Sequence, residues 1–398
     1  MRHTWRQHRA GLVAVRLEAE VPGAGWDRAG VEAGLVQLWL DGAHHQDVIL
    51  VRGAERAIYE RLLGELAAGD HEVEVRPAPP DAPARPPAQV HGVRVTPLEP
   101  RDQWEALAWR EAPVLYTRAE PDPWESLWTD TPLAMFWRPA AGGVEFQCVF
   151  SHEDAGTDTR GLLAQWGRTT DIEWVLRLGA DGPPTIQARG HHTLVHGGRR
   201  TLGRLTLQVV GLHGMVSDEP PRGAMRCLLL PRWRWDGPGP REGCMEPWMY
   251  RLMAQEVGRH GLLSPGSPAE DPRPGGLDQY LYVHVRRTDD ALPPAAVEIR
   301  ARLADGRVCG SAHGDARHAV ARSWSFATAI KIPRGVTVAA LEATALSPLP
   351  DGVHLQLERA FRLDAHMEPT PVFGAGESVV LAPGAPTAVL AGVGLPRR

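Results

Sequence analysis

The side chains best suited to chemistry are concentrated between Ser151 and Val175. They are His152, Glu153 and Asp154, followed by Trp166, Arg168, Asp171, Glu173 and Trp174. Residues two apart on a strand project from one face about 6.5–7 Å apart. A strand over residues 169–176 therefore sets Thr169, Asp171 and Glu173 on one side and Thr170, Ile172 and Trp174 on the other. Two carboxylates so placed repel unless a cation, an arginine or hydrogen bonds compensate. Arg160 and Arg168 are the arginines near enough in sequence to do so. On this reading Glu173 is a general acid and Asp171 its electrostatic helper. Glu153 or Asp154 is a base or a cation ligand, and His152, Trp166, Arg168 and Trp174 contact the ligand. The competing reading makes the acidic stripe a solvated outer face of an antiparallel strand.

A second constellation is His191, His192 and His196, with His213 further on. On a strand His192 and His196 share a face, which places His192 among the ligand-binding candidates. Three converging imidazoles would suit zinc, but the H-E-x-x-H pattern is absent and glycines flank the run. Glu153, Asp154, Asp171 and Glu173 offer hard oxygens, which favour Ca2+ or another divalent cation over zinc. The sequence requires no cofactor.

Two resemblances attach to these residues. The string F-S-H-E-D-A-G-T at 150–157, with W-G-R-T-T-D-I-E-W at 166–174 and A-P-V-L-Y at 112–116, resembles a group of uncharacterised bacterial proteins. That resemblance implies kinship across the middle of the chain and no particular activity. The shorter T-T-D-I-E-W at 169–174 is similar to the E-x-D-x-E strand motif of laminarinase-type β-sandwich glycoside hydrolases. In that family the first Glu is the nucleophile and the last the acid/base, so the resemblance implies a role for Asp171 and Glu173. Thr169 stands at the nucleophile position, however, and cannot be one of the two carboxyl groups about 5–5.5 Å apart that a retaining mechanism needs. An inverting reaction with Glu153 or Asp154 as base leaves room for a water.

Other chemistries lack their signatures. The chain has no phosphate-cradling G-x-x-x-x-G-K-[ST] and no G-x-S-x-G elbow. Its four cysteines, at 148, 227, 244 and 309, form no C-x-x-C pair. With 43 basic and 48 acidic residues, the charge of −5 gives no basic field for nucleic acid. No run of 18 apolar residues spans a membrane, and the stretch 10–15 is too short for a signal-peptide core. The expected compartment is the cytoplasm, or outside the cell if a leader has been removed. The partners expected are a polar polymer or small-molecule ligand, with a protein partner as the alternative.

The elements that must position these residues read mainly as strands. Period-two alternation marks residues 12–18, 36–40 and 71–75, with a turn at Asp41-Gly42. These predict an immunoglobulin-like sandwich over 1–76. Six prolines between 77 and 87 cannot pair in a ladder and predict a linker over 77–89. A middle β domain follows over 90–240 and holds nine of the 14 tryptophans, which is more the mark of packing than of a binding surface. Apolar spacing of three to four predicts one helix over 246–262, within a connecting segment 241–277. Further strands over 279–363 predict a C-terminal sandwich, 278–398. The fold class expected is thus mainly β: several β-sandwiches with one connecting α-helix. The functions expected are carbohydrate-like ligand binding by the middle domain, alone or together with hydrolysis, or a noncatalytic interaction or assembly protein built of β-sandwich modules.

Overall fold

The structure is a computed structural model. It describes residues 1–78, 86–118, 128, 130–140, 142–153, 157–211, 213–222, 225–288, 294–349 and 352–392. Asp154, Trp124 and most of the proline run lie outside the described residues. The protein is mainly β, with several separate sheets. The chain divides into two compact units, Met1–Ala155 with Thr170–Asp236, and Gly156–Thr169 with Gly237–Arg398.

In the first unit, a four-stranded sheet has the order Arg2–Gln7, Gly69–Pro77, Gly34–Leu40, Ala43–Leu50. A three-stranded sheet has the order Ala57–Leu66, Gly11–Glu20, Gln89–Pro97. Asp41 and Gly42 take φ of 48° and 81°, the pair of positive values that a two-residue hairpin turn requires. Gln89–Pro97, which spans the expected boundary between the linker 77–89 and the middle domain 90–240, pairs with Gly11–Glu20, Leu17 facing Val93. Prolines end a ladder only where they stand, so strands on either side of the run can share a sheet. The core agrees, for Ala14 and Leu62 pack in one cluster with Phe146, Cys148 and Leu207.

A six-stranded sheet in the same unit has the order His192–Val195, Thr185–Ala188, Asp171–Leu178, Gly143–Phe150, Pro132–Ala140, Trp233–Arg234. Val144, Phe146, Cys148 and Phe150 alternate onto its core face, together with Val175 and Leu176. Each fully buried side chain of this kind contributes about 1.5–3 kcal/mol. The opposite face carries a charged ladder. Glu145, almost fully buried, pairs with Arg138 at 2.8 Å on one neighbouring strand and with Arg177 at 2.5 Å on the other. Burial pushes the Glu145 carboxyl up, but the two guanidiniums outweigh it and hold the group below its ordinary value.

The second unit has two sheets around one core of Leu281, Val283, Ile299, Leu341 and Leu355. One contains Tyr280–Arg287 between Phe326–Lys331 and Val353–Leu363, the other Val297–Leu303 beside Val338–Ala345. Helix Pro247–Arg259 lies within the expected span and has proline in its first turn. Three α-helices are described where the sequence reading had one. The other two are Gln103–Glu111 in the first unit and Thr159–Trp166 in the second. Both are too short for a clear period, yet both carry an aspartate cap. Asp102 accepts from the backbone N–H groups of Trp104 and Glu105, and Asp158 from that of Gly161.

Candidate functional site

Asp171 and Glu173 open the Asp171–Leu178 strand, with Phe150 and Cys148 as their cross-strand partners. They therefore share the core-directed face, opposite Ile172 and Trp174, as alternation demands. Both are buried, Asp171 1% and Glu173 8% exposed, so the reading as a solvated outer face is overturned. Burial, with the charge of Asp171 among the lesser causes, pushes the Cys148 thiol well up.

What surrounds Glu173 was only partly anticipated. Gln187, on the adjacent Thr185–Ala188 strand, donates from Nε2 to Glu173 Oε2 at 2.8 Å and to His191 Nδ1 at 2.8 Å. Both acceptors fix the orientation of the amide, because reversing it would face oxygen against oxygen and against a ring nitrogen. Both amide hydrogens are then committed, and Gln187 Oε1 is buried with no hydrogen-bond partner among the described residues. His191 stands in a turn after this strand with φ of 61°, a conformation uncommon for a residue with a side chain. Its ring lies 6.4 Å from that of His213. His213 Nδ1 in turn meets Glu153 Oε1 at 2.8 Å, with the N–H donating in the neutral tautomer.

The loop that carries His213 is held close to the start of the acidic strand. Gly214 has φ of 58°, and a Cβ there would sit 2.6 Å from Phe150 Cδ2 and 2.7 Å from Asp171 Oδ2. Only glycine permits that approach. A series thus runs from buried Glu173 through Gln187 and His191 to His213 and Glu153, joined by hydrogen bonds except between the two imidazoles, whose rings lie 6.4 Å apart. The imidazoles are the more exposed members. A carboxylate that fixes Nδ1 of an imidazole leaves Nε2 to accept or give a proton.

Other expected members stand elsewhere. His192 is exposed on the His192–Val195 strand and has Ala188 as its cross-strand partner, so His191 takes the place proposed for it. His196 is buried and bonds the backbone, with Nε2 3.0 Å from the Thr206 carbonyl and Nδ1 accepting from Gly198 N–H. Among the described residues no group of three or more His, Cys, Asp or Glu could hold a metal ion. Trp174 lies on the opposite face, with the Arg177 guanidinium 3.8 Å from its ring centroid. Thr169 precedes the strand, and its N–H lies 3.1 Å from Met253 Sδ within the second unit. Trp166 and Arg168 also belong to the second unit, where Arg168 pairs with Glu242 at 3.1 Å. His152 is buried, 1% exposed.

No protein-family model matches the chain, and no curated protein matches it. Among solved structures, part of the chain is similar to the GH26-CBM35 β-(1,4)-mannanase of Podospora anserina, at 12% identity and a TM-score of 0.19. The match covers 26% of this chain and 20% of the mannanase chain, well short of its full length.

Proposed function

We propose that the first unit binds a hydroxyl-rich, carbohydrate-like ligand at the Glu173–Gln187–His191–His213–Glu153 series, and that this series equips it for acid–base hydrolysis. The observation that carries the reading is the Gln187 amide. Its nitrogen is fully used while its oxygen, beside the Glu173 carboxylate, has no donor among the described residues. A ligand hydroxyl can donate to one such oxygen while accepting from a neighbouring imidazole, and sugars present such groups in pairs. Glu173 and Glu153, at the two ends of the series, are the carboxyl groups that hydrolysis would use: Glu173 gives its proton to the leaving oxygen as the glycosidic bond breaks, while His213 Nε2 takes a proton from the attacking water and Glu153 holds the imidazolium through Nδ1. Asp171 supplies negative charge beside them.

The test is a glycan-array screen of the full chain, followed by assay of reducing-end release on any glycan retained. Retention that falls at least tenfold in Gln187→Leu, and turnover lost in Glu173→Gln with the fold intact, is the expected result. Equal retention by Gln187→Leu would end the proposal.

A second reading, a noncatalytic interaction protein, draws on the His192–Val195 strand. It ends the six-stranded sheet, and Leu194 and Val195 are 52% and 60% exposed. Such an edge can accept a strand from a protein partner. If it does, Val195→Lys abolishes association seen by size exclusion and leaves glycan retention unchanged.

A further inference from the structure

The second unit gathers three guanidiniums around one indole. The Cζ atoms of Arg322, Arg168 and Arg241 lie 3.5, 5.3 and 5.3 Å from the Trp166 ring centroid. Arg168 is neutralised by Glu242, the pair being 1% and 3% exposed. Arg322, 6% exposed, donates from Nη2 to the Gln165 carbonyl near the C-terminus of helix Thr159–Trp166, a favourable place for a cation. That accounts for one of its terminal nitrogens. Nη1 is buried with no hydrogen-bond partner among the described residues. Arg241, half-buried, makes no ion pair among them.

Two guanidiniums therefore share one aromatic ring with no counter-charge of their own among the described residues. Burying a charge in this state is unfavourable, which is why such groups are ordinarily paired. Burial, with Arg241 and Arg168 as further causes, brings the Arg322 guanidinium down to about 9, against the opposing pull of Glu242. The ring contacts offset part of this cost, but a ring offers no acceptor in the guanidinium plane.

We infer that Arg241 and Arg322 form a binding site for an oxyanion with at least two acceptor oxygens, a carboxylate or a phosphoryl group, seated against Trp166. Planar N–H forks match both chemistries, and Arg241 provides the half-open side through which the anion enters.

The full chain is titrated with inorganic phosphate and, separately, with glucuronate, at ionic strength held constant with sodium chloride, and followed by calorimetry and thermal unfolding. A saturable rise in the unfolding midpoint with one probe is expected, and the probe that succeeds identifies the source of the anion. Arg241→Gln should weaken that probe at least tenfold with an unchanged circular dichroism spectrum. Arg6→Gln, which removes an exposed charge from the first unit, should leave it intact. Arg322→Lys, which keeps the charge and removes the fork, should weaken it also. No saturable response to either probe, or equal binding by Arg241→Gln, would overturn the inference.

Discussion

Glu173 and Gln187 stand on adjacent strands of the six-stranded sheet and are joined by a 2.8 Å hydrogen bond from amide to carboxylate. Because the same nitrogen also holds His191, the amide couples a buried carboxylate to an exposed imidazole. Replacing it with Leu leaves Glu173 with a buried oxygen stripped of its donor, a loss of about 1–3 kcal/mol. Gln187→Glu sets a second carboxylate against the first. Both variants should lower the unfolding midpoint, and the deficit of the Glu variant relative to wild type should shrink as pH falls, because protonation restores a donor. Variant midpoints equal to wild type at each pH from 4 to 7 would show that the amide does not hold the acid.

Gly214→Ala should be among the more damaging single-methyl changes in the chain. The added carbon would press on Phe150 and Asp171 from a backbone with φ of 58°, at a cost of about 1–3 kcal/mol. Thermal unfolding reports the loss, and ligand retention should fall with it because His213 shifts. Gly179→Ala, with open space around its Cβ, is the control that should do neither.

Stability should decline in mildly acidic solution. Burial lowers His45, whose ring nitrogen lies 3.0 Å from the Leu63 carbonyl, from 6.5 to about 4, and burial likewise lowers His313 from 6.5 to about 4. The unfolded chain takes up these protons below pH about 6.5, whereas the folded chain resists until about 4. Their contribution is therefore complete above pH 6.5 and is lost as pH falls toward 4. The full effect is on the order of 3 kcal/mol for each. Urea midpoints at pH 7 and pH 5 measure it, and His45→Gln should flatten the slope.

Lys331, the one lysine of the chain, is 1% exposed, and its Nζ donates to Ser267 Oγ at 2.7 Å, the Asp271 carbonyl at 3.0 Å and the Arg273 carbonyl at 2.9 Å. All three ammonium hydrogens are used to fasten one surface segment, so Lys331→Met should cost about 1–3 kcal/mol. Protease cleavage between 264 and 274 should accelerate more than cleavage elsewhere. Unchanged cleavage would mean that the segment is held by other contacts.

The strands around Leu12–Glu18 and His71–Val75 were legible because alternation of apolar and polar residues leaves one arrangement that buries the right set. The same rule sorted Asp171 and Glu173 from Ile172 and Trp174. It could not say which face meets the core, since Glu173 opposite Cys148 is an acid at a position where burial is usually apolar. Gln187 was overlooked because an amide has no motif of its own, and its importance arises from pairing across strands. His191 and His192 were exchanged for a related reason. The turn at Gly190, with φ of 74°, ends one strand before the next begins, so counting by twos from His196 stops short of His191.

The passage of the chain between its two units has a consequence for synthesis on the ribosome. Helix Thr159–Trp166 is made long before strand Phe326–Lys331, yet Thr328 Oγ1 bonds the Ala164 carbonyl and the backbone of Thr328 faces Gly167. Leu162 and Leu163, buried in the finished protein, must therefore wait through the production of more than a hundred and fifty further residues. A nascent chain arrested near Asp236 would leave this helix without the strand that covers it.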